Sequence, residues 1–475
     1  MSLMFNRMRS PGLLGWLALA LLGLNAGRGL ADPVRPNFIL IVTDDQRYDM
    51  LGCTGHPAAK TPNIDRLARE GALFRRFYDA TPLCSPSRAS ILTGHYPHKH
   101  GVINNDKLGL EVISHALMTF PRLLRMAGYE TAFVGKWHMG IDDSRRPGFD
   151  RWYSFKGQGA YIDGVVNDDG VSRQLDGHMT DHINRQALEW LGRKRDKPFC
   201  LIVAHKAVHA PYLPAPRHDK LYADYTFVPP KVAAGDRASK PVMNRALPKV
   251  KPFELEGVAP EPGEPRGERG KDPASVVRDQ LRCLAGVDEG VGQLLDALKA
   301  SGQLERTAIF YTSDNGFLLG EHGQMDDKRW AYEPSVRVPL LVRYPALIRA
   351  GTVYDQLTVN VDLAPTILEM AGVQPIVPQH GRSLVPLFRD PSAPWRTAVL
   401  TEYFLEKVAP RVPAWQSVRT ERWRYIRYPE NAAWDELYDL HADPGEERNI
   451  AGDMAAREAR TAMSAELEKL LKATK

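Results

Sequence analysis

Residues 37–43, Asn-Phe-Ile-Leu-Ile-Val-Thr, form an unbroken apolar and β-branched run. Such a run predicts a strand buried on both faces, which needs covering layers above and below it. Phe199–Ala204 and Thr307–Thr312 repeat the pattern, and Thr131–Val134 is a shorter version. Helical segments lie between them. Thr61–Ala68 has Thr61 as an expected N-cap, Pro62 at the first helical position and Gly71 beyond the end. Thr119–Gly128 repeats that design, a long helix is expected from Asp272 to about Ala300, and another short one over Asp362–Gly372. Alternating buried strands and helices predict a doubly wound α/β core.

Each buried strand ends in chemistry. Asn37–Thr43 stops at Asp44-Asp45, and Thr307–Thr312 stops at Ser313-Asp314-Asn315-Gly316. Adjacent carboxylates repel unless a cation holds them, and open α/β sheets bind ligands beyond the carboxyl ends of their strands. Asp44, Asp45, Asp314 and Asn315 are therefore candidate ligands for Ca²⁺, with Mg²⁺ the other candidate. A polar loop without a ligand is the plainer alternative. No Cys/His spacing suggests zinc. Lys136 and His138 stand two apart after Thr131–Val134, so an extended segment would point both side chains to the same rim.

The stretch Pro82-Leu83-Cys84-Ser85-Pro86-Ser87-Arg88-Ala89-Ser90-Ile91-Leu92-Thr93-Gly94 places a thiol between two prolines at the entrance to a helix. Free N–H groups there favour an anion, and Arg88 one turn on adds a planar donor fork. A buried structural Cys with a surface Arg would be the bland reading. The spacing, however, resembles the type I sulfatase signature, Cys-x-Pro-Ser-Arg followed by apolar residues, Thr and Gly. Gly128-Tyr129-Glu130-Thr131-Ala132-Phe133-Val134-Gly135-Lys136-Trp137-His138 resembles the second signature of the same family.

The resemblance covers nearly the whole chain after the leader and implies the alkaline-phosphatase-like architecture, a mostly parallel doubly wound sheet. It implies that Cys84 is converted to formylglycine (3-oxoalanine) by a maturation enzyme, and that the hydrated aldehyde is the nucleophile and a further metal ligand. The segment His205-Lys206-Ala207-Val208-His209-Ala210-Pro211 looks like the family's His-x-x-x-His-x-Pro, in which His209 would contact the sulfate ester and His205 would be structural. Lys328 is nominated as a sulfate ligand, while Glu333 and Arg337 look like a supporting ion pair. In the implied reaction Arg88, Lys136 and Lys328 neutralise charge, and His209 protonates the leaving alcohol. His138 takes the proton that lets sulfate depart as the aldehyde re-forms.

Loops at Gly148–Trp152, Phe155–Gly159 and Trp423–Ile426 resemble those of sulfatases acting on glycosaminoglycan sugars, the N-acetylglucosamine-6-sulfatase branch above all. The expected substrate is thus a sulfated carbohydrate, with iduronate-2-sulfatase or arylsulfatase activity as alternatives. A phosphonate or phosphodiester hydrolase and an unmatured carbohydrate-binding pseudo-sulfatase are the rivals from other classes. Pro86-Ser87 counts against the phosphonate reading, and the filled catalytic positions count against the pseudo-enzyme.

Residues 1–31 carry Arg7 and Arg9, an apolar run from Leu13 to Leu24, and the end Gly29-Leu30-Ala31. This predicts a cleaved secretory signal peptide, hence a secreted or periplasmic protein without a stable membrane anchor. The formal charge of +5 contains three leader arginines and no leader acid, leaving +2 thereafter. Nothing in that balance calls for nucleic acid, and a polyanionic substrate would be met by local basic groups. Oligomeric state is not legible. With Cys84 modified, Cys53, Cys200 and Cys283 allow at most one disulfide.

The expected organisation is a catalytic domain over 32–375, interrupted by a Pro/Gly/charge-rich excursion over 214–272, and a C-terminal α+β subdomain over 376–475. Short alternating runs at Val399–Tyr403, Trp415–Arg419, Trp423–Tyr428 and Glu436–Leu440 predict a small antiparallel sheet, followed by a packing helix from about Met454.

Overall fold

The computed structural model describes residues 35–105, 109–245 and 272–475; the leader, and the excursion between 246 and 271, lie outside the described residues. Ten strands form one sheet: β1 (Asn37–Thr43), β2 (Ala72–Phe74), β3 (Glu130–Lys136), β4 (Arg151–Phe155), β5 (Val165–Asp168), β6 (Val171–Gln174), β7 (Phe199–Ala204), β8 (Thr307–Ser313), β9 (Leu340–Arg343) and β10 (Thr352–Tyr354). Their order is β10-β2-β9-β8-β1-β7-β3-β4-β5-β6. The five central strands from β8 to β4 are mutually parallel, and β9, β5 and β6 pair antiparallel toward the edges.

β1 shows why the continuous apolar run is diagnostic. It pairs with β7 on one side and β8 on the other. Phe38, Leu40 and Val42 enter one apolar layer, whereas Ile39 and Ile41 enter the opposite one. Each such side chain contributes roughly 1.5–3 kcal/mol when fully buried. Three helices cover the second face: α1 (Pro62–Glu70) through Ile64 and Leu67, α3 (Met179–Leu191) through Ile183, Ala187 and Trp190, and α4 (Pro273–Ala300) through residues such as Leu281, Leu284 and Val291. Helix α2 (Cys84–Thr93) covers the first face with the short helices Phe120–Met126 and Leu363–Met370.

Thr61 does not cap α1 as its position suggested. Its hydroxyl binds Asp65 at 2.9 Å, and the free helical N–H groups of Asn63 and Ile64 donate instead to Asp288 of α4, at 3.0 and 2.8 Å. A carboxylate from a neighbouring helix has replaced the local cap.

The C-terminal sheet comprises β11 (Ala398–Tyr403), β12 (Trp415–Thr420), β13 (Trp423–Arg427) and β14 (Glu436–Asp439), antiparallel in that order. Helix α5 (Arg457–Ala473) packs on it through Met463 and Leu467. The same apolar cluster includes Leu83 and Trp330, neighbours of Cys84 and Lys328. The described part of the excursion is mostly exposed, but Lys240 anchors it: it is fully buried, bonds Asp236, and lies 5.4 Å from the Tyr438 ring centre. Among the described residues no disulfide joins the four cysteines, and Cys200 is a core residue. Overall the architecture is the expected alkaline-phosphatase-like α/β fold.

Candidate active site

Four chain segments deliver polar groups to the carboxyl ends of the central strands. β1 runs into Asp44-Asp45, β8 into Asp314-Asn315, β3 ends on Lys136, and α2 begins on Cys84. Asp44, Asp45, Cys84, Lys136, Asp314 and Asn315 are all buried. Asp45 takes a left-handed backbone at φ 59°, which ends the strand and turns its N–H to Asp314 Oδ1 at 3.2 Å. At Gly135 φ is 117°, and a Cβ there would stand 1.9 Å from the Ala204 carbonyl oxygen, so only glycine admits the close β3–β7 contact before Lys136.

All ten residues of α2 are buried. Its serines pin it in place: Ser85 N–H donates to Asn105 Oδ1 at 3.0 Å, Ser85 Oγ donates to the His138 carbonyl, and Ser87 Oγ donates to the Asp314 carbonyl while accepting from Asn360 at 2.8 Å. Cys84 therefore sits at a helix N-terminus whose position is fixed from three directions.

Three cations surround it. Arg88 Nε donates to Asp314 at 2.8 Å and Nη1 to the Lys136 carbonyl at 2.6 Å. Lys328 Nζ lies 2.9 Å from Cys84 Sγ and also bonds Asp45. Lys136 Nζ is 4.0 Å from the sulfur and bonds Asp44. Burial, then Asp44, pushes the Cys84 thiol up to about 12. Although burial opposes it, Lys136, His209, Arg88 and Lys328 hold Asp44 well below the carboxylate range, while burial and Asp44 push Asp314 up.

Asp44, Asp45, Cys84 and His209 each bring a ligand atom within 4.8 Å of the others. Asp314 joins through the Asp45 N–H, and Asn315 Nδ2 donates to Asp45 at 2.7 Å. Asn315 Oδ1 is buried and has no hydrogen-bond partner. Hard oxygens from three buried carboxylates and one orphaned amide make a donor set that fits a Ca²⁺- or Mg²⁺-type cation.

His209 Nε2 is 3.7 Å from Asp45, its Nδ1 faces the Ala210 carbonyl at 2.7 Å, and Tyr161 holds its backbone oxygen at 2.8 Å. Burial lowers its pKa to about 4. His138 differs from expectation in its backbone: φ is 58°, so it has left the extended segment and does not follow Lys136 by strand alternation. Its ring still lies in the field of Lys136 and Asp44; burial, then Lys136, lowers its pKa well below the usual range. His205 is buried, its Nδ1 without a partner, and burial lowers its pKa to about 3. The Glu333–Arg337 pair is loose at 3.8 Å. Arg419 at 3.2 Å and Arg424 hold Glu333 more closely.

Three further residues neighbour the site, and of these only Gln158 lies in a stretch, Phe155–Gly159, that the resemblance singles out. Gln158 accepts from Lys136 Nζ through its side chain and from Lys206 through its carbonyl at 3.3 Å. The flanking glycines, with φ of 53° and 63°, were the available sign of a tight loop. Asn105, which holds the Ser85 N–H, and Glu406, which binds Arg329 beside Lys328, carry no local motif.

Residues 36–373 match the profile described as "Sulfatase", and residues 320–473 that described as "N-sulphoglucosamine sulphohydrolase, C-terminal". The N-acetylglucosamine-6-O-sulfatase of Bacteroides thetaiotaomicron is 34% identical over 470 residues, covering 88% of this chain and 83% of the relative. The human N-acetylglucosamine-6-sulfatase is 32% identical over 476 residues, covering 88% and 81%. A solved structure in complex with its substrate D-glucosamine-2-N,6-O-disulfate superposes with a TM-score of 0.81 at 32% identity, covering 93% of this chain and 98% of that one. Fold, profile match and relatives matched over most of their length agree: the chain belongs to the sulfatase family and is a sulfuric ester hydrolase.

Proposed function

We propose that this sulfatase removes sulfate from glucosamine-type sugars, with 6-O-sulfated N-acetylglucosamine as the favoured substrate. The observation that carries this is the likeness, over 93% of the chain, to the structure holding a glucosamine disulfate. The N-acetylglucosamine-6-sulfatases among its relatives support the same choice.

In this reading Cys84 is oxidised to formylglycine by a maturation enzyme, and its hydrate supplies the nucleophilic hydroxyl. Asp44, Asp45, Asp314 and Asn315, with the modified Cys84, would hold Ca²⁺, or Mg²⁺ in its place. When bound, such a cation acidifies a neighbouring hydroxyl and stabilises negative charge. Three buried carboxylates face three buried cations, Arg88, Lys136 and Lys328, so the bare site is close to neutral and a divalent ion gives it the positive surplus a sulfate ester needs.

The side chains have separate tasks. Arg88, clamped on Asp314 and the Lys136 carbonyl, is a fixed counter-charge. Lys136 and Lys328 flank the Cys84 sulfur and would meet the non-bridging sulfate oxygens. His209, partly exposed and 3.7 Å from Asp45, would carry the proton for the departing alkoxide. His138 receives the proton that frees inorganic sulfate.

The catalytic part over 32–375 and the C-terminal part over 376–475, with the antiparallel sheet and α5, belong to the same reading. So does export to the periplasm or beyond; relatives include proteins named as extracellular sulfatases. Sulfate release from N-acetylglucosamine-6-sulfate, glucosamine-2-N,6-O-disulfate, a 2-sulfated uronate disaccharide and an aryl sulfate tests the substrate. Preference for either of the last two, or for matched phosphate esters, would overturn the proposal.

A further inference from the structure

We infer that Glu406, a residue of the C-terminal part, is a positioning residue for both the Cys84 helix and the Lys328 ammonium. The inference rests on the roles proposed above for Cys84 and Lys328. Glu406 follows β11 and is fully buried. A buried carboxylate costs several kcal/mol of desolvation unless partners satisfy both oxygens. Here each oxygen has a partner, and on each oxygen one partner leads to the reaction centre.

Oε1 accepts the Asn105 backbone N–H at 3.1 Å. The Asn105 side chain in turn accepts the Ser85 N–H at 3.0 Å, one residue beyond Cys84. Ser85 N–H is one of the free donors at the start of α2, so the whole helix origin is indexed through Asn105. Oε2 takes Arg329 Nε at 2.5 Å and the Tyr403 hydroxyl at 3.3 Å. Arg329 is adjacent to Lys328, whose Nζ is 2.9 Å from Cys84 Sγ. Its own backbone, at φ 83°, is in the left-handed region. A non-glycine residue keeps that conformation only where its surroundings over-determine it. Here Glu406 holds the side chain, and Trp415 of β12 donates to the Arg329 carbonyl at 2.7 Å.

One carboxylate thus sets two coordinates of the site at once: where the nucleophile's helix begins, and where the Lys328 ammonium stands relative to it. An ordinary ion pair holding the C-terminal sheet in place would need only the Arg329 arm. The Asn105 arm, which reaches the residue after Cys84, is what a purely structural pair would not require.

Glu402 provides the control. It lies four residues away, is equally buried, and binds the backbone and ring of His98 rather than the centre. Glu406→Gln keeps the shape but cannot charge-pair Arg329 and accept from Asn105 as before. In the matured, metal-loaded enzyme, Glu406→Gln should lower kcat for sulfate ester hydrolysis about a hundredfold with KM held within about twofold. Hydrogen exchange at the Ser85 amide should accelerate at least about tenfold. Glu402→Gln should lower the unfolding temperature while leaving kcat and Ser85 exchange unchanged.

Glu406→Gln with wild-type kcat and Ser85 protection overturns the inference. So does equal loss of kcat in both variants. If Glu406→Gln does not fold, Asn105→Ala cuts the Ser85 arm alone, and an unchanged kcat in that variant is equally fatal. A wild-type enzyme inactive on every sulfate ester would instead refute the proposed function, and the exchange measurement would still decide whether Glu406 fixes the helix.

Discussion

Arg88 Nε and Asp314 Oδ2 lie 2.8 Å apart although 226 positions separate them in the chain. The same guanidinium donates to the Lys136 carbonyl at 2.6 Å, so one planar fork joins α2, β3 and β8. Lysine offers a point charge rather than a fork and cannot hold both partners in that plane. Arg88→Lys should lower kcat/KM by about a hundredfold, the order expected when groups at the reacting centre are misplaced by about 1 Å. Near-normal kinetics in Arg88→Lys would show that the fork geometry is irrelevant to turnover.

The proposed role of Cys84 can be separated from its part in the buried α2 helix. Cys84→Ser and Cys84→Ala should abolish turnover while shifting the unfolding midpoint only slightly, since both substitutes are small and the helix is held by Ser85 and Ser87. Mass analysis of the peptide containing position 84 should show an aldehyde in place of the thiol in the active enzyme. An active preparation bearing a free thiol there would contradict the formylglycine assignment.

If the proposed cation is held by Asp44, Asp45 and Asp314, chelation should remove activity and lower the unfolding temperature, because a ligand bound only by the folded state stabilises it. Adding Ca²⁺ back should restore both. Full activity after exhaustive dialysis against chelator would be incompatible with the ligand set.

His98 supplies a pH-dependent contact outside the centre. Burial acts against its charged form, but the Glu402 hydrogen bond and charge, with the Thr474 carbonyl, raise its pKa. A raised histidine stabilises the fold fully below its unfolded value of about 6.5 and loses that contribution as pH rises through the folded value. The difference in unfolding midpoint between wild type and Glu402→Gln should therefore be largest near pH 6 and shrink toward pH 9. A difference constant across that range would mean that His98 does not titrate in this pair.

Gly135→Ala should be severely destabilising. Its methyl would overlap the Ala204 carbonyl at 1.9 Å on a backbone at φ 117°, and relieving that overlap means parting β3 from β7 beside Lys136. A loss of several kcal/mol, read by denaturant unfolding, is expected. Wild-type stability would show that the strands separate there at little cost.

The local content of the site was legible because strand ends and helix starts are local features. Asp44-Asp45, Asp314-Asn315, Lys136 and Cys84 each follow a run whose periodicity or signature is written in a few residues. The fold was legible for the same reason: β1, β7 and β8 are unbroken apolar runs, and the C-terminal strands lie within a residue or so of their expected places. What escaped was everything decided by distant partners. Thr61 lost its capping role to Asp288, a residue 225 positions from Asn63. His138 left the extended path that would have aligned it with Lys136. Gln158 and Glu406 reach the centre through tertiary contacts that no spacing rule encodes.

The central position of β1 has a temporal meaning. Asp44 and Asp45 emerge early in synthesis, yet their partner Asp314 stands 269 positions after Asp45, on the strand that closes the other side of β1. A nascent chain must carry two adjacent carboxylates, with Asp314 and Asn315 still missing beside them, until β8 has been made. A chain ended before β8 would already carry Cys84 and Arg88 but lack Asp314, the carboxylate on which Arg88 is clamped.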